Sequence, residues 1–212
     1  MFIPLKDTNP TLRRPVVTYV LLSMNAAIFL MEFHFSFGGF IFSKQSFLNA
    51  EAHSFLTLIT YQFLHGGWGH LIFNMLFLFI FGDNIEGSLG RRYFLLFYLA
   101  CGVGAALSEV FLDPYFGLND PGYLIGASGS ISGVLGAYIL RYPKAKILTW
   151  ITFIFFVEIR AVWFIGLWIA MQFLYQILTP GSGTAYIAHI GGFVAGMIIY
   201  GLYHQLQLRR QI

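Results

Sequence analysis

Three short stretches put side chains capable of acid–base or nucleophilic chemistry inside otherwise apolar sequence. The first is His65-Gly66-Gly67-Trp68-Gly69-His70, followed by Asn74. The second is Gly126-Ala127-Ser128-Gly129-Ser130-Ile131-Ser132-Gly133. The third is Ala188-His189-Ile190-Gly191-Gly192, followed by Gly196. A serine hydroxyl and a neutral imidazole are the minimum for nucleophilic acyl transfer: the imidazole takes the hydroxyl proton as the oxygen attacks a carbonyl. Histidine and asparagine side chains can donate hydrogen bonds to the oxyanion that results. Each stretch also has a plainer meaning. His70 and Asn74 are four apart and share a helix face, as a helix–helix hydrogen bond would require. Ser128 has the setting of a helix N-cap in a glycine-rich packing helix. His189, Gly192 and Gly196, spaced i, i+3, i+7, line one face and read as a close-packing seam.

The elements that must position these groups are set by composition. Of the 212 residues, 58% are hydrophobic and only 10% charged, against roughly a quarter charged in soluble domains. The expected fold is all-α: a polytopic membrane bundle of six transmembrane helices. The apolar segments are 16–33, 68–81, 93–112, 128–140, 161–178 and 186–203. They lie between a tail at 1–15 and a tail at 206–212, with the membrane domain at 16–205. With six spans, eleven of the twelve Lys and Arg residues fall on one side and only Lys44 on the other. That asymmetry predicts cytoplasmic termini by the positive-inside rule. The region 37–63, interrupted by Gly38, Gly39, Lys44, Glu51 and His53, reads as an interfacial or re-entrant element. The run 147–157 is too short to span; it either lies at the interface or extends the fifth helix. The basic residues are scattered with no long basic run, which gives little support to a nucleic-acid role, and no nucleic-acid partner is expected. Cys101 is the single cysteine, so no intramolecular disulfide and no cysteine metal cluster are expected. No metal and no cofactor is called for.

Depth brings the three stretches together. At about 1.5 Å per helical residue, Ser128 lies roughly 20 Å above Arg141, and His70 roughly 20 Å above Asp83. His189 lies roughly 22 Å above His204 by the same rise. In a hydrocarbon core about 30 Å thick, all three occupy one layer nearer the outer face, with Asn74 one turn deeper. Polar side chains at that depth are costly and face the bundle interior.

Taken in order, these motifs resemble those of the rhomboid family of intramembrane serine proteases. Gly126 to Gly129 match its Gly-x-Ser-Gly motif, and Ala188 to Gly196 match Ala-His-x-x-Gly-x-x-x-Gly. His65, His70 and Asn74 match the histidines and asparagine of its second helix. The resemblance covers about residues 15–205 and is to the basic six-helix bacterial form. It implies Ser128 as nucleophile and His189 as general base in a Ser–His dyad. It implies His70 and Asn74 as oxyanion donors, with His65 shaping the wall above His70. Substrates would be membrane proteins entering laterally from the lipid between the second and fifth helices and cut near the outer face. The setting implied is a bacterial inner membrane; an oligomeric state is not implied. Two departures stand out. Ser132 occupies the place where some relatives carry an aromatic ring that stacks on the histidine, so the imidazole needs other support. Leu56 and Thr57 lie near the place of a Trp-Arg pair that some relatives have.

No acid completes a triad. Glu109 is nearest by depth and reads as an interface residue ending the third helix. Orientation of His189 would come instead from close helix contact, with Gly192 and Gly196 against Gly129, Gly133 and Gly136. The loops 113–127 and 179–185 are expected to dip toward the site and to cap it. Two other classes compete: a solute or proton pathway built on the same polar layer, and a relative that binds membrane clients without cutting them. Neither an inverted repeat nor a run of carboxylates supports a transporter.

Overall fold

A chain in lipid must satisfy its backbone N–H and C=O groups internally, which favours helices wherever the sequence is continuously apolar. The computed structural model, which describes residues 3–10, 13–116, 122–152, 155–179 and 182–209, has eight α-helices among those residues. They are α1 (Val16–Met31), α2 (Lys44–Leu48), α3 (Ala52–Thr60), α4 (Trp68–Leu89), α5 (Arg91–Leu112), α6 (Ser128–Arg141), α7 (Ala161–Leu178) and α8 (Tyr186–Arg209). Five short strands accompany them: β1 (Ile3–Asp7), β2 (Phe42–Ser43), β3 (Tyr123–Leu124), β4 (Lys146–Thr152) and β5 (Phe155–Arg160).

Four helical stretches are long and apolar enough to cross a membrane: Trp68–Leu89, Arg91–Tyr115, Ala161–Leu178 and Tyr186–Arg209. The apolar α1 has 16 residues and α6 has 14, or roughly 24 and 21 Å of helix. The structure therefore supports a multi-helix membrane bundle with four spans by length, where six were expected. α6 is short because it is an interior element. Every residue from 129 to 138 is buried, so protein rather than lipid surrounds it. Around it lies a core that includes Phe81, Ile85, Tyr98, Cys101, Tyr138 and Ile165.

The all-α expectation needs one correction. Residues 146–152 and 155–160 do not extend α7. They form the β4–β5 hairpin, and β1 adds to it in the order β1-β4-β5, with Ile3 opposite Trp150 and Asp7 opposite Ile147. Residues 3–7, expected as tail, thus supply an edge strand. The physical reason is composition: Ile147 to Val157 is rich in β-branched and aromatic residues, which suit a pleated ribbon. A long-range strand partner completes it.

The region 37–63 holds α2, α3 and a 3₁₀ turn at Tyr61–Phe63. It is fastened to the chain entering α6. β2 pairs with β3, Phe42 opposite Leu124, and the buried Lys44 ammonium meets the Asp113 carboxylate at 2.7 Å. The α3 end also grips α6 directly: Ser130 Oγ donates to Gln62 Oε1 at 2.9 Å, and the Gln62 amide donates to Leu58 O at 2.8 Å.

Candidate active site

The α6–α8 contact is built on backbone. A Cβ placed on Gly192 would collide with the carbonyl oxygen of Gly129, and one on Gly196 with that of Gly133. Gly136 faces the Phe193 carbonyl in the same way. Glycine lets two helix backbones touch with no side chain between them. The consequence reaches the first turn of each helix, where Ser128 and His189 lie. Ser128 Oγ and His189 Nε2 stand 2.9 Å apart, within hydrogen-bond distance.

The start of α8 is held separately. The Ala188 N–H donates to Glu109 Oε2 at 2.8 Å. Glu109 is buried; rather than ending α5 at an interface, it satisfies one of the amides that every helix N-terminus leaves open.

His70 and Asn74 approach from α4. The Gly66 N–H points to His70 Nδ1 at 3.4 Å, a long contact that leaves the ring's Nε2 turned to the other side. That nitrogen faces Gly126. A Cβ at Gly126 would lie 2.5 Å from His70 Nε2, and the residue has φ +116°, a conformation that also excludes other L residues. The Gly126 N–H donates to the Tyr61 carbonyl at 2.9 Å, while the Tyr61 hydroxyl donates to Gly102 O at 2.7 Å. The buried Asn74 Nδ2 has no hydrogen-bond partner. His65 is buried against His70, ring centroids 5.1 Å apart, and both its ring nitrogens lack partners.

These groups share one cavity of about 570 Å³, lined among others by His70, Asn74, Gly126, Ser128, Trp168 and His189. Gly183 to Ala185 and Tyr123 to Ile125 also line it, so the ends of loops 113–127 and 179–185 that lead into α6 and α8 border the cavity. Residues 117–121 and 180–181 of those loops lie outside the described residues. The volume suits a peptide segment and several waters. His65 is near but does not line it.

Two residues of α7, neither of them an acid, meet the imidazole. His189 Nδ1 lies 2.8 Å from Gln172 Oε1, and the Trp168 ring lies beside the imidazole, centroids 6.0 Å apart at 33°. The aromatic neighbour that Ser132 does not provide is thus on α7. Ser132 instead donates to the Ser128 carbonyl at 2.6 Å. The signal for Gln172 was available: a polar side chain in a helix that is apolar on all sides. Among the described residues, no group of three or more His, Cys, Asp or Glu could hold a metal.

Comparison with known proteins agrees with the motifs. The family profile described as Rhomboid domain matches residues 52–206. Rhomboid protein 1, mitochondrial, of Saccharomyces cerevisiae is 29% identical over 202 residues, covering 92% of this chain and 55% of that protein. RHOMBOID-like protein 12, mitochondrial, of Arabidopsis thaliana is 26% identical over 196 residues, covering 85% and 56%. Rhomboid protease GluP of Bacillus subtilis is 31% identical over 136 residues, covering 59% and 24%. The chain spans about half the length of the first two. Their names place them in mitochondria, so these likenesses support residence in a membrane and do not support a bacterial inner membrane in particular. With a family profile covering most of the chain and the three motifs gathered in one cavity, the protein belongs to the rhomboid family.

Proposed function

We propose that this chain is an intramembrane serine endopeptidase that cuts spanning segments of other membrane proteins by a Ser128–His189 dyad. The observation that carries the proposal is the 2.9 Å separation of Ser128 Oγ and His189 Nε2 inside a cavity of about 570 Å³. Water can enter such a cavity, and the groups around it are polar.

In the first half-reaction Ser128 Oγ attacks the scissile carbonyl carbon as its proton passes to His189 Nε2. The carbonyl oxygen becomes an oxyanion. Asn74 Nδ2 has an unused N–H, His70 Nε2–H faces the same cavity, and the Ser128 backbone N–H opens α6; these three receive the charge. The carbon–nitrogen bond then breaks, and His189 returns its proton to the leaving amine. A water, deprotonated by His189, attacks the acyl carbon, and Ser128 regains its proton as the acid product leaves. Those steps require no cofactor.

The proposed topology is six membrane-embedded helices, α1 and α4 to α8, with both termini and every basic residue but Lys44 on the cytoplasmic side. Substrates enter from the lipid between α4 and α7. Support comes from the Rhomboid domain match and from a relative named as a protease, GluP.

The test is covalent labelling of the full chain in detergent by a fluorophosphonate. Wild-type protein should label on one residue, identified as Ser128 by mass spectrometry. Ser128→Ala and His189→Ala should not label. Unlabelled wild-type protein with a native melting transition would favour a client-binding or solute-conducting protein instead.

A further inference from the structure

The base of a hydrolytic pair needs its ring held in one tautomer, a task that a carboxylate performs in serine hydrolase triads. His189 Nδ1 meets an amide oxygen here rather than a carboxylate, and the glycine seam fixes the helix rather than the ring. We propose that Gln172 is the positioning residue of this site. Its side-chain oxygen holds His189 as the Nδ1–H tautomer and so leaves Nε2 free to take the Ser128 proton. The inference rests on the hydrolase reading above and adds a residue to it.

The orientation of the amide is fixed from its other end. Gln172 Nε2 donates to the Trp168 carbonyl at 3.1 Å, one turn back on α7. Oε1 therefore faces His189 Nδ1, at 2.8 Å. An amide oxygen only accepts, so Nδ1 must carry the hydrogen. A neutral imidazole with Nδ1–H has its lone pair on Nε2, the atom that meets Ser128 Oγ at 2.9 Å. With the opposite tautomer, a ring lone pair would face the amide oxygen at 2.8 Å, and Nε2 would have no lone pair for the serine proton. One amide direction thus fixes both hydrogen bonds of the ring.

Placement strengthens the assignment. Gln172 is buried, and a buried amide needs its partners; both of its ends have them here. Trp168 flanks the same imidazole, so two residues of α7, four apart, hold the ring from one side. A neutral amide also suits membrane depth, where an ionised carboxylate would be far costlier. It gives orientation with little charge stabilisation, so its removal should matter less than loss of a triad aspartate.

The experiment joins two readouts on the detergent-solubilised full chain. The rate of fluorophosphonate labelling is measured for wild type, Gln172→Met and Gln172→Glu. The His189 imidazole nitrogens are followed by ¹⁵N NMR, assigned by their loss in His189→Asn. Methionine keeps the volume without the acceptor, whereas glutamate in either protonation state keeps an acceptor oxygen. The expected result is a fall of about tenfold in labelling rate for Gln172→Met, the loss of one hydrogen bond of ordinary strength. The ¹⁵N shifts should move from a single Nδ1–H form to a mixture, and Gln172→Glu should keep both rate and tautomer near wild type. Unchanged rate and tautomer in Gln172→Met would overturn the proposal. So would equal losses in both variants without a tautomer change, because that pattern marks a packing role. If wild type does not label, the hydrolase reading fails on its own. The tautomer measurement then still decides whether Gln172 holds the ring.

Discussion

Glu86 and Asp7 at the basic end, and Asn74 at the cavity, handle burial in opposite ways. At the basic end, hydrogen-bonding capacity is spent on structure. The buried Glu86 of α4 accepts from the Val17 N–H at 2.9 Å, the Thr18 N–H at 2.7 Å and the Thr18 hydroxyl at 2.8 Å. It thereby caps the first turn of α1 with a negative charge, where a helix dipole favours one. Asp7 of β1 accepts from the Tyr138 hydroxyl of α6 and from Asn84 Nδ2 of α4. At the cavity end, some capacity is spent in the same way, by Glu109 on the Ala188 N–H, but part is left unspent. Asn74 Nδ2 and both ring nitrogens of His65 are buried without partners. An unpaired buried donor costs stability, so its presence beside the proposed nucleophile–base pair fits use by a transition state rather than by the resting protein. Unpaired buried atoms also occur elsewhere, as at Trp150 Nε1; among them, Asn74 Nδ2 is the one that lines the Ser128–His189 cavity.

The contrast predicts opposite outcomes for mutations at the two ends. Glu86→Ala orphans three donors at the start of α1 and should destabilise the protein by about 3 kcal/mol. That corresponds to a drop of roughly 6–12 °C in melting temperature, read by thermal unfolding in detergent. The rate at which still-folded protein reacts with a fluorophosphonate should stay unchanged. A Glu86→Ala protein that melts like wild type would break the comparison, since its most heavily used carboxylate would then carry no weight.

Asn74→Leu is the mirror case. Removing an oxyanion donor should slow acylation by roughly 10² to 10³. Stability should hold or rise slightly, because an unpaired amide is exchanged for an apolar side chain of similar size. Melting and labelling should therefore separate, where for Glu86→Ala they separate the other way. A large loss of stability in Asn74→Leu would mean that the amide has a structural partner after all.

Much of this division was legible in the sequence, and the reasons are local. Helices α1 and α4 to α8 fall where continuous apolar runs require them, and Ser128, His189 and His70 were visible as polar residues at one depth, with Asn74 one turn deeper. The seam partners were visible as small residues at helical spacing. What escaped detection depends on distant pairing. The end of α4 reads as loop because Asp83, Asn84 and Glu86 are polar, yet the helix runs to Leu89 and spends Asn84 and Glu86 on β1 and α1. The hairpin of β4 and β5 cannot be told from a short apolar helix by periodicity alone, and its third strand lies some 140 residues away. Gln172 is neutral, so a search for charges passes over it; only the position of α7 against α8 reveals what its amide meets.

Asp7 offers the mildest and most specific check on the basic end. Burial raises its carboxyl from 3.8 to about 6, with the Tyr138 hydrogen bond working against that rise and nearby Asp83 adding to it. Between those two values the folded chain binds more protons at this site than the unfolded chain. Stability contributed here is thus full at low pH and is lost as pH rises through the window from about 4 to about 6. Asp7→Asn removes the titration and keeps an acceptor oxygen for Tyr138. The variant should therefore gain on wild type as pH rises from 4.5 to 7, by on the order of 1 kcal/mol once the partial exposure of the site is discounted. The measurement is the difference in melting temperature between the two proteins across that range. A difference that stays constant with pH would mean that Asp7 is solvated and that β1 is not clamped to Tyr138. Because Tyr138 lies ten residues after Ser128 on the same buried helix, labelling at pH 7 should be equal in the two proteins if the basic end only anchors α6.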